Sequence, residues 1–191
     1  MIPTSTLKLR QDVTLIRLAV EHAPKMSVWM EDPAVSQNIG LRSKPSLEKT
    51  IQWINNALKS QDIYPYAILL KGQYVGNVII DRIDRYLDMG RLSVYIGEPN
   101  ARGSRVGLTG IYLALKECFS SLSLNKVWVT VHVRNIASIL TFNRLGFSVE
   151  GLLRDEFILD GKRLSVLYMG LLRDEFPLFK NNQEENQGKS F

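Results

Sequence analysis

The chain has 191 residues, 45% of them hydrophobic and 23% charged, with a formal net charge of +5. That length and balance describe one ordinary soluble globular domain, long enough to bury its own core. No apolar run approaches the roughly 20 residues that span a bilayer, and the opening "MIPTSTLKLRQ" lacks the apolar core of a secretory signal. A cytoplasmic location is expected. Two histidines, His22 and His132, and the single Cys118 offer no zinc ligand set and no internal disulfide, so no metal is expected. The basic surplus is too dispersed to indicate a nucleic-acid partner. It would still draw in a phosphorylated small molecule.

In chain order, "VTLIRLA" (13–19) has the β-branched content of a strand. "HAPKMSVWMEDP" reads as a short helix that stops near Pro33, because the residue before proline avoids the helical region. "KPSLEKTIQWINNALKS" is a second helix capped by Ser46, with Leu47, Ile51, Ile54 and Leu58 as its apolar stripe. "YPYAILLKGQYVGNVIID" is a hairpin turning at Lys71-Gly72-Gln73. "GRLSVYIGE" (90–98) is a strand closed by Pro99, and "VGLTGIYLALKECFSSL" returns to helical spacing through Leu108, Ile111, Leu115 and Cys118/Phe119. "NKVWVTVHV" (125–133) alternates as a strand. "NIASILTFNRLG" is a short helix between an Asn135 cap and a Gly146 stop. "FSVEGLLRDEFILDGKRLSVLYMGLL" is a long hairpin on Asp160-Gly161. No internal repeat or linker is evident. One domain, residues 1–179, is expected, with a disordered tail at 180–191 that has little to bury. The element order predicts an α+β fold with helices packed on a mostly antiparallel sheet.

The segment of most chemical interest runs from strand through "ARGSRVG" into the middle helix. Backbone N–H groups at a helix start, helped by the macrodipole, favour an anion such as a pyrophosphate. Gly103 and Gly107 let main chain approach phosphate oxygens, while Arg102 and Arg105 add charge-assisted contacts. A plain turn that starts a core helix fits the same spacing. The nucleotide fingerprints G-x-G-x-x-G and G-K-[ST] are both missing.

"YIGEPNARGSRVGLTG", "HVRNIASILTFNRLGFSVEG" and "LLRDEF" together resemble the GNAT superfamily of acetyl-CoA-dependent N-acetyltransferases, over about residues 13–176. They look nearest the branch of ribosomal-protein N-terminal alanine acetyltransferases and their small-molecule relatives. The resemblance implies a mixed, mostly antiparallel central sheet with helices on both faces. It implies acetyl-CoA as cosubstrate, with the turn [RQ]-x-x-G-x-[GA] binding its pyrophosphate. Arg102, Gly103, Ser104, Arg105, Val106 and Gly107 span that turn, and Arg105 stands where the family has its middle glycine. A positive φ there would cost arginine on the order of 1–2 kcal/mol; a helical φ would cost nothing. The strand before the turn splays from its neighbour in these enzymes. Amides within Val94, Tyr95 and Ile96 can then hold the thioester carbonyl and the pantetheine arm as preorganised donors.

The family often takes its proton donor from a tyrosine in the following helix, and here that position is Phe142. The alanine-acetyltransferase pattern N-x-x-S is matched by Asn135 to Ser138. Asn135, Ser138 and Phe142 share one helix face, and the resemblance implies that Ser138 faces the thioester sulfur with Phe142 packed beside it. An N-cap with a serine in the first turn needs no such role. Glu98 leads as base for the amine, with Glu150 and Glu156 as alternatives and Asp155 and Tyr95 behind them. His132 and Cys118 read as structural. Trp29, Trp53 and Tyr64 lie in the half that shapes the acceptor pocket in such folds.

The implied activity is transfer of acetyl to a primary amine by direct attack in a ternary complex. Acceptors in order are a protein N-terminus, an amino sugar, and a polyamine or aminoglycoside. The long hairpin leaves a homodimer open. A non-catalytic acyl-CoA sensor or interaction module is the alternative, since Arg105 and Phe142 depart from the family pattern.

Overall fold

The computed structural model describes residues 7–41 and 45–177. The chain runs β1 (Val13–Arg17), α1 (Ala23–Glu31), α2 (Pro33–Ser36), α3 (Leu47–Lys59), β2 (Tyr64–Leu70), β3 (Gln73–Asp84) and β4 (Met89–Ile96). It continues through α4 (Val106–Ser120), β5 (Lys126–His132), α5 (Ile136–Arg144), β6 (Ser148–Leu159) and β7 (Lys162–Leu172). The expected tail and the boundary at 179 lie outside the described residues.

The turn chemistry sets the hairpins. Lys71 and Gly72 have φ of 51° and 76°, Asp160 and Gly161 of 49° and 73°. Positive φ at both central residues gives a turn whose twist matches the flanking strands. Ser46 Oγ accepts from Lys49 N–H at 3.2 Å and caps α3 as expected. Proline ends α1, yet Pro33 also opens α2, a turn of helix absent from the sequence reading. Proline suits a first helical position because its missing N–H would be unpaired there, and Asp32 Oδ1 accepts from Ala34 N–H at 2.9 Å.

The seven strands form one sheet in the order β1-β2-β3-β4-β5-β7-β6. All neighbours are antiparallel except β4 and β5. Strand alternation feeds a core on each face. On one, Ile68, Val78, Ile80 and Leu92 meet Ile111, Leu115, Cys118 and Phe119 of α4 with Phe142 of α5 and Leu145 just past its end. On the other, Ala67 and Tyr74 meet Met26, Trp29 and Met30 of α1 and Ile54 of α3.

One expected face is corrected. Leu47 and Leu58 are 45% and 39% exposed, and α3 buries Thr50, Ile54 and Ala57. Ile54 joins the cluster that holds Ala67, and the leucines sit at the helix's two ends. The sheet also receives two close approaches at glycines, the tighter at Gly97. A Cβ on Gly110 would lie 2.9 Å from Ile68 Cδ1, and one on Gly97 would lie 2.0 Å from the Trp29 ring.

Gly97→Ala is expected to lower the unfolding free energy by about 1–3 kcal/mol, the usual cost of overpacking, because Trp29 must leave its seat. Urea denaturation checks this, and an unchanged midpoint would contradict it.

Candidate active site

The site begins where the sheet comes apart. β4 and β5 pair in parallel over three positions only, Met89 with Lys126, Gly90 with Val127 and Arg91 with Trp128. Beyond Arg91, β4 stays with β3 up to Ile96 and β5 stays with β7 up to His132. The two strands therefore diverge, and a cleft opens toward their C-terminal ends. Gly97 N–H donates to Val75 O at 2.9 Å, so Tyr95, one alternation back, also turns its main chain toward β3. Val94 and Ile96 turn theirs toward the cleft. Of the three residues expected to offer amides, the cleft thus receives Val94 and Ile96 and not Tyr95.

Tyr95 is a structural residue. Its hydroxyl accepts from Asn77 Nδ2, and Asn77 Oδ1 accepts from Tyr74 Oη–H at 2.8 Å. Burial drives both phenols well above their ordinary range. Burial likewise pushes the Cys118 thiol up, which fits its place in the core.

The turn after β4 carries two left-handed residues, Gly103 at φ 71° and Arg105 at φ 63°. Arg105 is the N-cap of α4 and adopts the conformation natural to the glycine that the family pattern places there. A left-handed residue followed by a helical one turns successive N–H groups to a common side and makes an anion nest. Val106, Gly107 and Leu108 open the helix and have no intrahelical carbonyl to donate to. Gly107 lies against Ile96, with its would-be Cβ 3.6 Å from Ile96 Cγ1, so helix start and cleft strand adjoin. The Arg10 guanidinium steadies the turn from β1's side, donating to Ser104 O at 3.3 Å while Arg10 N–H donates to Thr109 Oγ1.

Arg102 has a use that its spacing did not reveal. Its Nε donates to Ile96 O at 3.0 Å, and its Nη2 to Gly97 O at 2.8 Å and Asp32 Oδ2 at 2.7 Å. Three of its five N–H donors thus hold the end of β4 and the start of α2. The expected role as a free cation beside phosphate is corrected to that of a strut with only Nη1 uncommitted. Arg105 is exposed, and no ion pair to it is found among the described residues. Asp32 is held below the ordinary carboxylate range, first by the Arg102 hydrogen bond and then by the Ala34 amide.

Across the cleft, Asn135 Oδ1 accepts from Ser138 N–H at 3.1 Å and caps α5. Ser138 is half-buried in the first turn. Phe142 is 4% exposed and packs edge-on against Phe147, so it belongs to the core. Glu98 is half-buried immediately past the cleft strand, its N–H donating to Val75 O. Glu150 is removed from consideration: it pairs with Lys126 at 2.6 Å, at the closed end of the split. Asp155 and Glu156 lie on an exposed bulge of β6, with β7 between them and β5. Trp29 covers Gly97 and meets Tyr74 ring to ring at 4.7 Å in a tilted pair, which puts it beside the cleft strand's end. The sequence reading missed Asn38, whose side-chain oxygen meets both His132 and Asn135 at 3.0 Å. No local pattern marks a lone asparagine after a short helix.

Behind this strand split, left-handed turn and helix N-terminus, residues 12–148 match the Acetyltransferase (GNAT) domain family. The chain belongs to that family, as an N-acetyltransferase whose cosubstrate is acetyl-CoA. It is 25% identical over 159 residues to an uncharacterized N-acetyltransferase p20 of Bacillus licheniformis, across 81% of this chain and 89% of that one. It is 23% identical over 153 residues to spermidine N(1)-acetyltransferase of Escherichia coli (strain K12), across 80% and 76%. The fold superposes on spermidine N-acetyltransferase from Vibrio cholerae in complex with CoA and spermine with a TM-score of 0.82 at 20% identity, covering 87% of this chain and 98% of that chain. None of these relatives belongs by name to the ribosomal-protein branch, so that part of the expectation is without support. Among the described residues no helix is long and apolar enough to cross a membrane, and no cluster of His, Cys, Asp or Glu is suited to a metal.

Two outcomes are expected. Because the folded Asp32 carboxyl titrates below its unfolded value, its pairing with Arg102 stabilises the fold above about pH 4 and is lost as pH falls further. Asp32→Asn should therefore flatten the acid limb of a stability–pH curve measured by chemical denaturation. Arg105→Gly should keep or raise stability, since left-handed strain on the order of 1–2 kcal/mol is relieved against the chain entropy of a new glycine. The same variant should weaken acetyl-CoA binding several-fold in calorimetry if the guanidinium reaches phosphate.

Proposed function

We propose that this chain transfers acetyl from acetyl-CoA to a primary amine by direct attack in a ternary complex. The observation that carries this reading is the divergence of β4 and β5 immediately ahead of the left-handed turn and the α4 N-terminus. Acetyl-CoA brings the acetyl group as a thioester. In this reading the amides of Val106, Gly107 and Leu108, with the Gly103–Arg105 turn, hold its diphosphate, and Arg105 adds a mobile cation. The cleft-facing N–H groups of Val94 and Ile96 hold the acyl carbonyl and the arm behind it. Donors fixed before the reaction stabilise developing negative charge without reorganising.

Ser138, at the start of α5 on the opposite limb, gives a proton to the departing sulfur. Glu98, past the end of β4, takes the ammonium proton through a water or draws the cationic amine in. Asn135 sets the pitch of the Ser138 turn through its cap. Phe142 acts behind them as packing.

A polyamine is the first acceptor to test, because two of the relatives named above are spermidine acetyltransferases. Peptide N-termini and amino sugars come next. A homodimer or larger assembly is part of the reading: edge strand β6 exposes Val149, Leu152, Leu153 and Ile158, and one similar structure, of the Vibrio cholerae enzyme, is described as dodecameric.

The test is an acetyl-transfer screen across spermidine, spermine, peptides and amino sugars, reading free thiol. Turnover with at least one amine is expected, together with saturable acetyl-CoA binding. Tight binding without turnover would favour a sensor, and no saturable heat at millimolar acetyl-CoA would defeat both readings. Ser138→Ala should lower kcat at least tenfold, a floor below the roughly 10²–10⁴-fold typical of acid–base contributions, with acetyl-CoA affinity retained. Unchanged kcat would remove Ser138 from the chemistry.

A further inference from the structure

Residues 32–40 cross from one limb of the cleft to the other. At their start Asp32 is held by Arg102 on the β4 limb, at 2.7 Å. At their end Gln37 Nε2 donates to Asp160 Oδ1 at 2.8 Å, and Gly40 lies against the Phe157 ring on the β6 limb. Between these anchors stands Asn38. Its Nδ2 donates to Ala34 O at 2.8 Å, which fixes the orientation of the amide and leaves Oδ1 as an acceptor. That oxygen is 3.0 Å from His132 Nε2 and 3.0 Å from Asn135 Nδ2. An acceptor opposite Nε2 requires the ring proton to be there. The other nitrogen, Nδ1, is then an unprotonated acceptor; it is buried and without a partner. His132 itself is 5% exposed and stacks on Phe157 at 4.8 Å.

We propose that Asn38 is a positioning residue for the transfer reaction: its one oxygen receives His132 Nε2–H and Asn135 Nδ2–H together, and so locks the end of β5 and the first turn of α5, with Ser138, to the strap that bridges the cleft. The proposal rests on the acyl-transfer reading only for its effect on rate. Asn135 is bound at both ends of its amide, Nδ2 to Asn38 and Oδ1 to the Ser138 N–H. A shift of Asn38 therefore passes to Ser138 through a single side chain. Burial, then the nearby Arg134, keep the His132 ring below its ordinary titration range, which agrees with a neutral donor. His22 provides an internal comparison. Its Nδ1 accepts from Ala19 N–H at 3.0 Å and its ring meets Tyr74, so none of its ring contacts involves Asn38.

The experiment compares the full chain with Asn38→Leu and Asn38→Asp. Asp keeps the acceptors and Leu removes them, and circular dichroism confirms folding of each. Imidazole nitrogen NMR should show wild-type His132 in the single Nε2–H form. In Asn38→Leu a Nδ1–H population of at least a tenth should emerge while His22 is unmoved. Amide exchange at Ser138 and Ile139 should quicken at least tenfold in the same variant. With acetyl-CoA and an accepted amine, kcat should fall at least tenfold with the acetyl-CoA KM within twofold, and Asn38→Asp should recover most of that loss. A wild-type Nδ1–H tautomer, or unchanged exchange in Asn38→Leu, would overturn the proposal. If wild type acetylates no amine, the acyl-transfer reading fails while the nitrogen spectrum and the exchange rates still decide the role of Asn38.

Discussion

Everything distinctive in this molecule follows from one interrupted ladder. β4 and β5 share three parallel pairs and then part. Hydrogen bonding of β4 to β3 and of β5 to β7 continues undisturbed, so each limb remains a regular sheet edge. Such edges normally oblige a protein to cover or pair them. Here the edge formed by Val94 and Ile96 adjoins the opening of α4, where further backbone donors lack intrahelical partners. An extended ligand with acceptor oxygens along its length suits both. The base of the split is held firmly: Arg91 meets Asp81 through two hydrogen bonds of 2.8 and 2.6 Å across the β3–β4 pair.

An open split needs its limbs held at a set distance, and polar side chains do this. Arg102 takes two carbonyls at the end of β4 and reaches Asp32, an arrangement suited to a guanidinium with donors in a rigid fork. Asn38 reaches the other limb. Residues 32–40 thereby belong to both sides. Trp29, seated on Gly97, closes the same corner by packing. The two limbs of the cleft are thus joined through Arg102–Asp32, Asn38–His132 and Asn38–Asn135, contacts between residues far apart in sequence.

Much of the fold was legible because its signals are local. Alternation marked β5, turn glycines marked the hairpins, and Ser46 and Asn135 cap the helices that their spacing predicts. The limits are just as physical. The hexapeptide Leu-Leu-Arg-Asp-Glu-Phe occurs at 152–157 and again at 171–176, too short a recurrence to mark a repeated structural unit. In the first copy it is a bulged stretch of edge strand with Asp155 at φ 58°; in the second it leaves β7 for a 3-10 turn and buries Phe176. Identical local preferences met different neighbours. The face of α3 shows the same lesson, since helical spacing marks a stripe but not the surface it meets.

The sequence by itself determined the order of the strands and of the helices other than α2, the caps of α3 and α5, the two-residue turns and the motif that names the family. These depend on dihedral preferences and periodicity, which a residue carries with it. Only the tertiary structure decided that Arg105 is left-handed, that Arg102 is a strut, that Tyr95 faces β3 and that Glu150 lies at the wrong end of the cleft. All but the first depend on which partner stands within about 3 Å, the range of a hydrogen bond. Partners brought from distant parts of the chain leave no trace in local spacing.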